Sequence, residues 1–148
     1  MKHPRNIDGF ACFDDLVDEI TANDHIRRFL EELADDLCRQ GDEDYSKGRK
    51  KLAGRLYDTG ENLYYAARKM DSGRDSQKLP GLAQKVGVMQ YDCVAMIIEK
   101  FAEKNVRQGL YYLDLERRKA ENLIDIADDL VNAYDSMMSA WKICERYM

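Results

Sequence analysis

Apolar side chains recur every seven residues along the C-terminal third of the chain. Leu113, Ala120, Ala127, Tyr134, Trp141 and Met148 form one ladder, and Leu123, Leu130, Met137 and Cys144 a second. Ile124, Val131 and Met138 form a third. Ladders sustained over so many turns describe a helix packed in a left-handed supercoil. Residues 110–148 contain neither proline nor glycine, so the pattern predicts one continuous helix from Leu110 to Met148.

The stretch Leu79–Lys104 also has helical spacing. Leu82, Val86, Met89, Cys93 and Ile97 share one face, and Val88, Tyr91, Ala95 and Ile98 the opposite one. Lys85, Asp92, Glu99 and Glu103 gather in a narrow polar strip, and Pro80 suits a first helical turn. A helix apolar nearly all round belongs at the centre of a bundle or against another copy.

Upstream, "HIRRFLEELADDLCRQ" carries a stripe of Ile26, Leu30, Leu33 and Leu37, with Asp24 as expected N-cap and Gly41 as expected stop. Phe13, Leu16, Val17 and Ile20 predict a short helix before it. "GDEDYS" and "DSGRDSQ" read as loops around "GRKKLAGRLYDTGENLYYAARKM", where Leu52, Leu56, Thr59, Leu63, Ala67 and Met70 face inward. No strand alternation, repeat or glycine-rich phosphate loop is present. The expectation is a single all-α domain over 1–148: an antiparallel bundle of four principal helices plus a short N-terminal one.

Within that third segment, Gly60 lies at the edge of the inward face, where a missing side chain lets a neighbouring helix approach. Gly54 lies opposite Leu52 and Leu56, where glycine costs about 1 kcal/mol relative to alanine and gains nothing inside a monomer. Tyr65, Asp58, Glu61 and Arg68 share that outer side, and Tyr57 and Tyr64 flank it. Tyrosine and arginine are favoured at interfaces. Gly54, Tyr57, Asp58, Tyr64, Tyr65 and Arg68 are therefore the candidate contact residues.

Charge changes the picture modestly. The net charge is −5, unevenly distributed. Residues 1–45 hold 5 basic and 13 acidic side chains, net −8, and residues 46–85 hold 10 and 4, net +6. The acidic segment can neutralise the basic one by packing. The cluster Lys47, Arg49, Lys50, Lys51 and Arg55 could instead neutralise phosphates, which makes nucleic-acid contact the alternative.

Candidate chemistry is sparse. The two histidines, His3 and His25, do not form a catalytic or metal-binding pattern, and no serine or cysteine sits in a nucleophile motif. Cys12, Cys38, Cys93 and Cys144 lack zinc-site or disulfide-framework spacing, which suggests a reducing, cytoplasmic setting. "MKHPRNIDGF" has no signal-peptide apolar core, and "CVAMII" is too short to span a bilayer.

Carboxylates cluster twice, as Glu31, Glu32, Asp35 and Asp36 and as Glu121, Asp125, Asp128 and Asp129. Facing clusters of this kind can hold Mg²⁺. The arrangement resembles the all-α nucleotide pyrophosphatases, which carry an EExxE-like and an ExxD-like motif on bundle helices. Here the second motif is Glu121-x3-Asp125-x2-Asp128, and the lysines that accompany those motifs are not evident. On a helical wheel Glu31 and Asp35 point away from Leu30, Leu33 and Leu37, and the carboxylates of the last helix likewise oppose its ladders, so the clusters read as solvated acidic faces.

The sequence thus points to a non-enzymatic protein-interaction module without cofactor, metal or catalytic site: an adaptor, inhibitor or small subunit. Its expected partner is another protein or a second copy, with no membrane contact.

Overall fold

Six α-helices and no strand occur among the described residues, which in this computed structural model are 5, 7, 10, 12–22, 26–70 and 81–146. They are α1 (Phe13–Ala22), α2 (Ile26–Ser46), α3 (Lys50–Arg68), α4 (Leu82–Gly87), α5 (Tyr91–Tyr112) and α6 (Arg117–Glu145). The all-α class is as expected, and α2, α3, α5 and α6 are the four principal helices.

Helices α2 and α3 form an antiparallel hairpin. Gly48 reverses the chain at φ 83°, a left-handed conformation that costs glycine nothing. The Gly48 N–H donates to the Tyr45 carbonyl at 3.0 Å, and the Arg49 N–H to the Asp44 carbonyl at 2.8 Å. Further along, Gly60 lets the two backbones close. A Cβ there would lie 2.6 Å from Cys38 Sγ and 3.3 Å from the Ala34 carbonyl oxygen.

The four long helices pack in the order α2–α3–α6–α5, and side chains of α2 and α5 close the ring. Lys69, just past α3, pairs with Asp129 at 2.7 Å, and Asn122 Nδ2 donates to the Lys69 carbonyl at 2.9 Å. These contacts bring the end of α3 to the first half of α6, so the two helices run antiparallel. Side chains link α2 to α5: Phe29 meets Phe101 with ring centroids 5.6 Å apart, and Tyr91 Oη donates to Gln40 Oε1 at 2.7 Å. Helix α1 lies along α5, tied by Lys100–Asp14 at 2.7 Å and by Lys104–Asp18. Helix α4 packs on α2.

The core contains the expected Leu30, Leu33 and Leu37 of α2, Leu52, Leu56, Leu63 and Ala67 of α3, and Leu82, Val86, Met89, Cys93 and Ile97. Leu16, Val17 and Ile20 of α1 are buried as predicted, and Thr59 is buried with its hydroxyl donating to the Arg55 carbonyl at 2.8 Å.

Several boundaries differ from expectation. Helix α2 runs through Gly41 to Ser46, so "GDEDYS" is helical rather than a turn. Gly41 is retained within the helix because the Tyr57 ring lies against it; a Cβ would sit 2.8 Å from Tyr57 Cε1. The predicted Leu79–Lys104 helix is divided between α4 and α5 at Val88–Gln90, and α5 extends to Tyr112. The predicted Leu110–Met148 helix is broken at residues 113–116, where Glu116 is extended (φ −151°, ψ 92°). That break folds α6 back on α5. The stripe of α6 is also rotated: Ile126, Ala133 and Ala140 are buried, whereas Val131 is exposed and Ile124 and Met138 are half-buried. Alanines permit the closer helix approach. The expected cap at Asp24, both histidines, Pro80 and "DSGRDSQ" lie outside the described residues.

Candidate functional site

The outer face of α3 is arranged only partly as predicted. Gly54 faces open space, with nothing within 4 Å of a built Cβ. Replacing it with alanine is expected to stabilise the protein by about 0.5–1 kcal/mol, read as a higher urea midpoint. An unchanged or lower midpoint would show that the position is not an unstrained, unpacked helix interior. Asp58 and Arg68 are exposed, and Asp58 accepts from Arg55 at 3.5 Å.

The tyrosines are more constrained. Tyr57 crosses to α2, where its hydroxyl donates to Asp42 at 2.5 Å. That bond to a carboxylate, followed by burial, pushes the phenol up to about 12. Tyr64 likewise reaches α2 and donates to Asp35; burial first, then that bond, raises its pKa. Both rings therefore help join α2 to α3 while remaining half-buried. Tyr65 is exposed and bonds Glu61 one turn away. Gly54, Asp58, Tyr65 and Arg68 remain on the outer face.

The basic cluster is partly neutralised. Arg49 bridges to Asp44 at 3.2 Å, Arg55 pairs with Asp58, and Lys50 Nζ lies 5.7 Å from the Tyr45 ring centroid. Lys47 and Lys51 are exposed. Of these ion pairs, Arg49–Asp44 is the one that joins the acidic segment to the basic cluster.

The acidic clusters do not converge. Glu31 pairs with Arg27 at 2.9 Å and Glu32 with Arg28 at 3.2 Å, while Asp129 pairs with Lys69. Helices α2 and α6 occupy diagonal corners of the bundle. No group of three metal-ligating side chains forms among the described residues. Asp36 departs from the predicted solvated face: it is 6% exposed, bonded to Arg39 Nη2 at 2.7 Å and Gln40 Nε2 at 2.9 Å.

A different apolar surface lies at the α5–α6 hairpin. Val106, Leu110 and Leu113 follow i, i+4, i+7 spacing, the signature of one helical face, yet all three are exposed. Tyr111 and Leu115, in the same end of the hairpin, are 67% and 68% exposed, and Leu110 is 61% exposed, against 43% for Tyr65. Lys119 Nζ sits 4.1 Å above the Tyr112 ring, whose edge meets Tyr111 with centroids 5.0 Å apart. The i, i+4, i+7 spacing was visible in the sequence. Nothing in the sequence marks the break at 113–116, so Leu113 reads there as the first member of a seven-residue ladder.

All four cysteines are free thiols. No helix among the described residues is long and apolar enough to cross a membrane. No family model, curated protein or solved structure matches the chain, so its functional reading rests on its own residues.

Proposed function

We propose that this protein is a non-enzymatic interaction module, an adaptor, inhibitor or small subunit, that contacts another protein chiefly through the exposed end of the α5–α6 hairpin. The observation that carries this reading is the cluster of Val106, Leu110, Tyr111, Leu113 and Leu115 on the surface. Single exposed apolar residues are ordinary, but several large ones gathered in one stretch of chain are what a contact site calls for. An apolar stripe at helical spacing is what a partner groove or partner helix recognises. Arg107, Asp114, Glu116, Arg117 and Arg118, close by in the chain, are also exposed, and a polar surround of mixed charge is usual for a contact site. The α3 face with Gly54 and Tyr65 is the secondary surface, since Tyr57 and Tyr64 are engaged within the fold.

The test is affinity capture from the native host with wild-type chain, Leu110→Ser/Leu115→Ser, and Tyr65→Ala, each first checked by circular dichroism. A stoichiometric partner retained by wild type and Tyr65→Ala but depleted about tenfold with the double variant is expected, since each exposed leucine contributes on the order of 1 kcal/mol on burial. Full recovery with a folded double variant overturns the assignment. Loss with Tyr65→Ala alone would move the contact to α3.

A further inference from the structure

A cleft of about 280 Å³ opens at one end of the bundle, between the first turn of α2, Met70 just past α3, the last turns of α5 and the first turns of α6. None of its lining residues is among the exposed apolar residues named above. Its walls are apolar, from Ile26, Met70, Leu123 and Ile126. Two cations, Arg27 and Lys119, line it together with the amides of Asn105, Gln108 and Asn122, and among the described residues no carboxylate does. In a chain of net charge −5, that is a locally positive site. The carboxylate facing Arg27 is Glu31, bonded to Nε at 2.9 Å, while Nη1 donates to the Met70 carbonyl at 3.2 Å. Lys119 is held over Tyr112.

Asn105 gives the cleft direction. It is 6% exposed, and its Nδ2 donates to the Phe101 carbonyl at 2.9 Å. Among the described residues nothing donates to its Oδ1. That oxygen is accessible from the cleft rather than sealed in the core, so it can accept from a ligand hydroxyl. The volume lies near the lower end of small-molecule sites, which start at about 300 Å³. It suits a molecule of on the order of ten heavy atoms.

We propose that this cleft binds a small amphiphile with an anionic group directed to Arg27 and Lys119, an apolar body against Leu123 and Ile126, and a hydroxyl that donates to Asn105. A phenolic carboxylate has this chemistry. The probe is 3-(4-hydroxyphenyl)propanoate, titrated into the full chain and followed by amide chemical shifts. Saturable binding with a dissociation constant of about 1 mM or tighter is expected from the efficiency of small ligands. The shifts should centre on Asn105, Asn122 and Leu123. Binding should weaken about threefold or more with 3-phenylpropanoate, which lacks the hydroxyl, and with the uncharged 3-(4-hydroxyphenyl)propanamide. The exposed substitution Lys119→Glu should weaken the acid to a similar extent. Shifts that map elsewhere, no saturation by about 20 mM, or affinity indifferent to the charge, the hydroxyl or Lys119→Glu would each overturn the proposal.

Discussion

Truncating Phe101 to alanine is expected to lower the unfolding free energy by about 3–5 kcal/mol, the largest single effect in this chain. Phe101 is fully buried on α5, and its ring meets Phe29 of α2 at a 42° tilt. Removing it both forfeits apolar burial and leaves a void that helices fastened by other contacts cannot readily close. The gap between α2 and α5 is bridged by side chains, so the loss falls where backbone packing is least able to compensate. Against a typical total of about 5–15 kcal/mol, the variant should be marginal at physiological temperature. Urea unfolding followed by circular dichroism reads the effect as a lowered midpoint with an unchanged slope. A Phe29→Ala/Phe101→Ala cycle should show coupling of about 0.5–1.5 kcal/mol. A loss below about 1 kcal/mol for Phe101→Ala would mean that the ring is not part of a close-packed core.

Substituting Gly87 with alanine should cost about 2–4 kcal/mol, although the change is a single methyl group. The new Cβ would lie 2.9 Å from Asp36 Cγ and closer still to Oδ2. Asp36 cannot simply swing away. Its Oδ1 accepts from Arg39, its Oδ2 accepts from Gln40, and Gln40 Nε2 also donates to the Gly87 carbonyl at 2.5 Å. Gln40 Oε1 in turn accepts from Tyr91 Oη at 2.7 Å. This network fastens the α4–α5 junction to α2, and a displaced buried carboxylate would lose partners it cannot replace. Asp36→Ala removes the obstruction as well as the network. The Asp36→Ala/Gly87→Ala double variant should therefore be less destabilised than the two single costs combined, by about 1 kcal/mol or more. Additive costs, or a neutral Gly87→Ala, would show that the carboxylate is free to move.

Much of the fold was legible from periodicity because burial in a helical bundle imposes it. Leu30, Leu33 and Leu37 of α2 and Leu52, Leu56 and Leu63 of α3 repeat at helical spacing and are buried. Gly60 was readable as a close approach, since no other residue type frees that space at the edge of an apolar face. Less was legible for the contact surface. Tyr57 and Tyr64 share the outer flank of α3 on a wheel, but a wheel places side-chain origins only. Where the phenol ends reach depended on Asp42 and Asp35 of the neighbouring helix.

By itself, the order of apolar and polar residues determined that this chain forms helices, which faces most of them bury, and where two helices meet backbone to backbone. These follow from local spacing and side-chain size. The tertiary structure alone decided that α5 and α6 are two helices, that Asp36 is interior, and that the leucines and tyrosine of their hairpin stand exposed. Each depends on what lies opposite in space. Residues 113–116 contain no proline or glycine to end a helix, and reversal there buries Ala120, Ala127 and Leu130 while leaving Leu110, Leu113 and Leu115 outside.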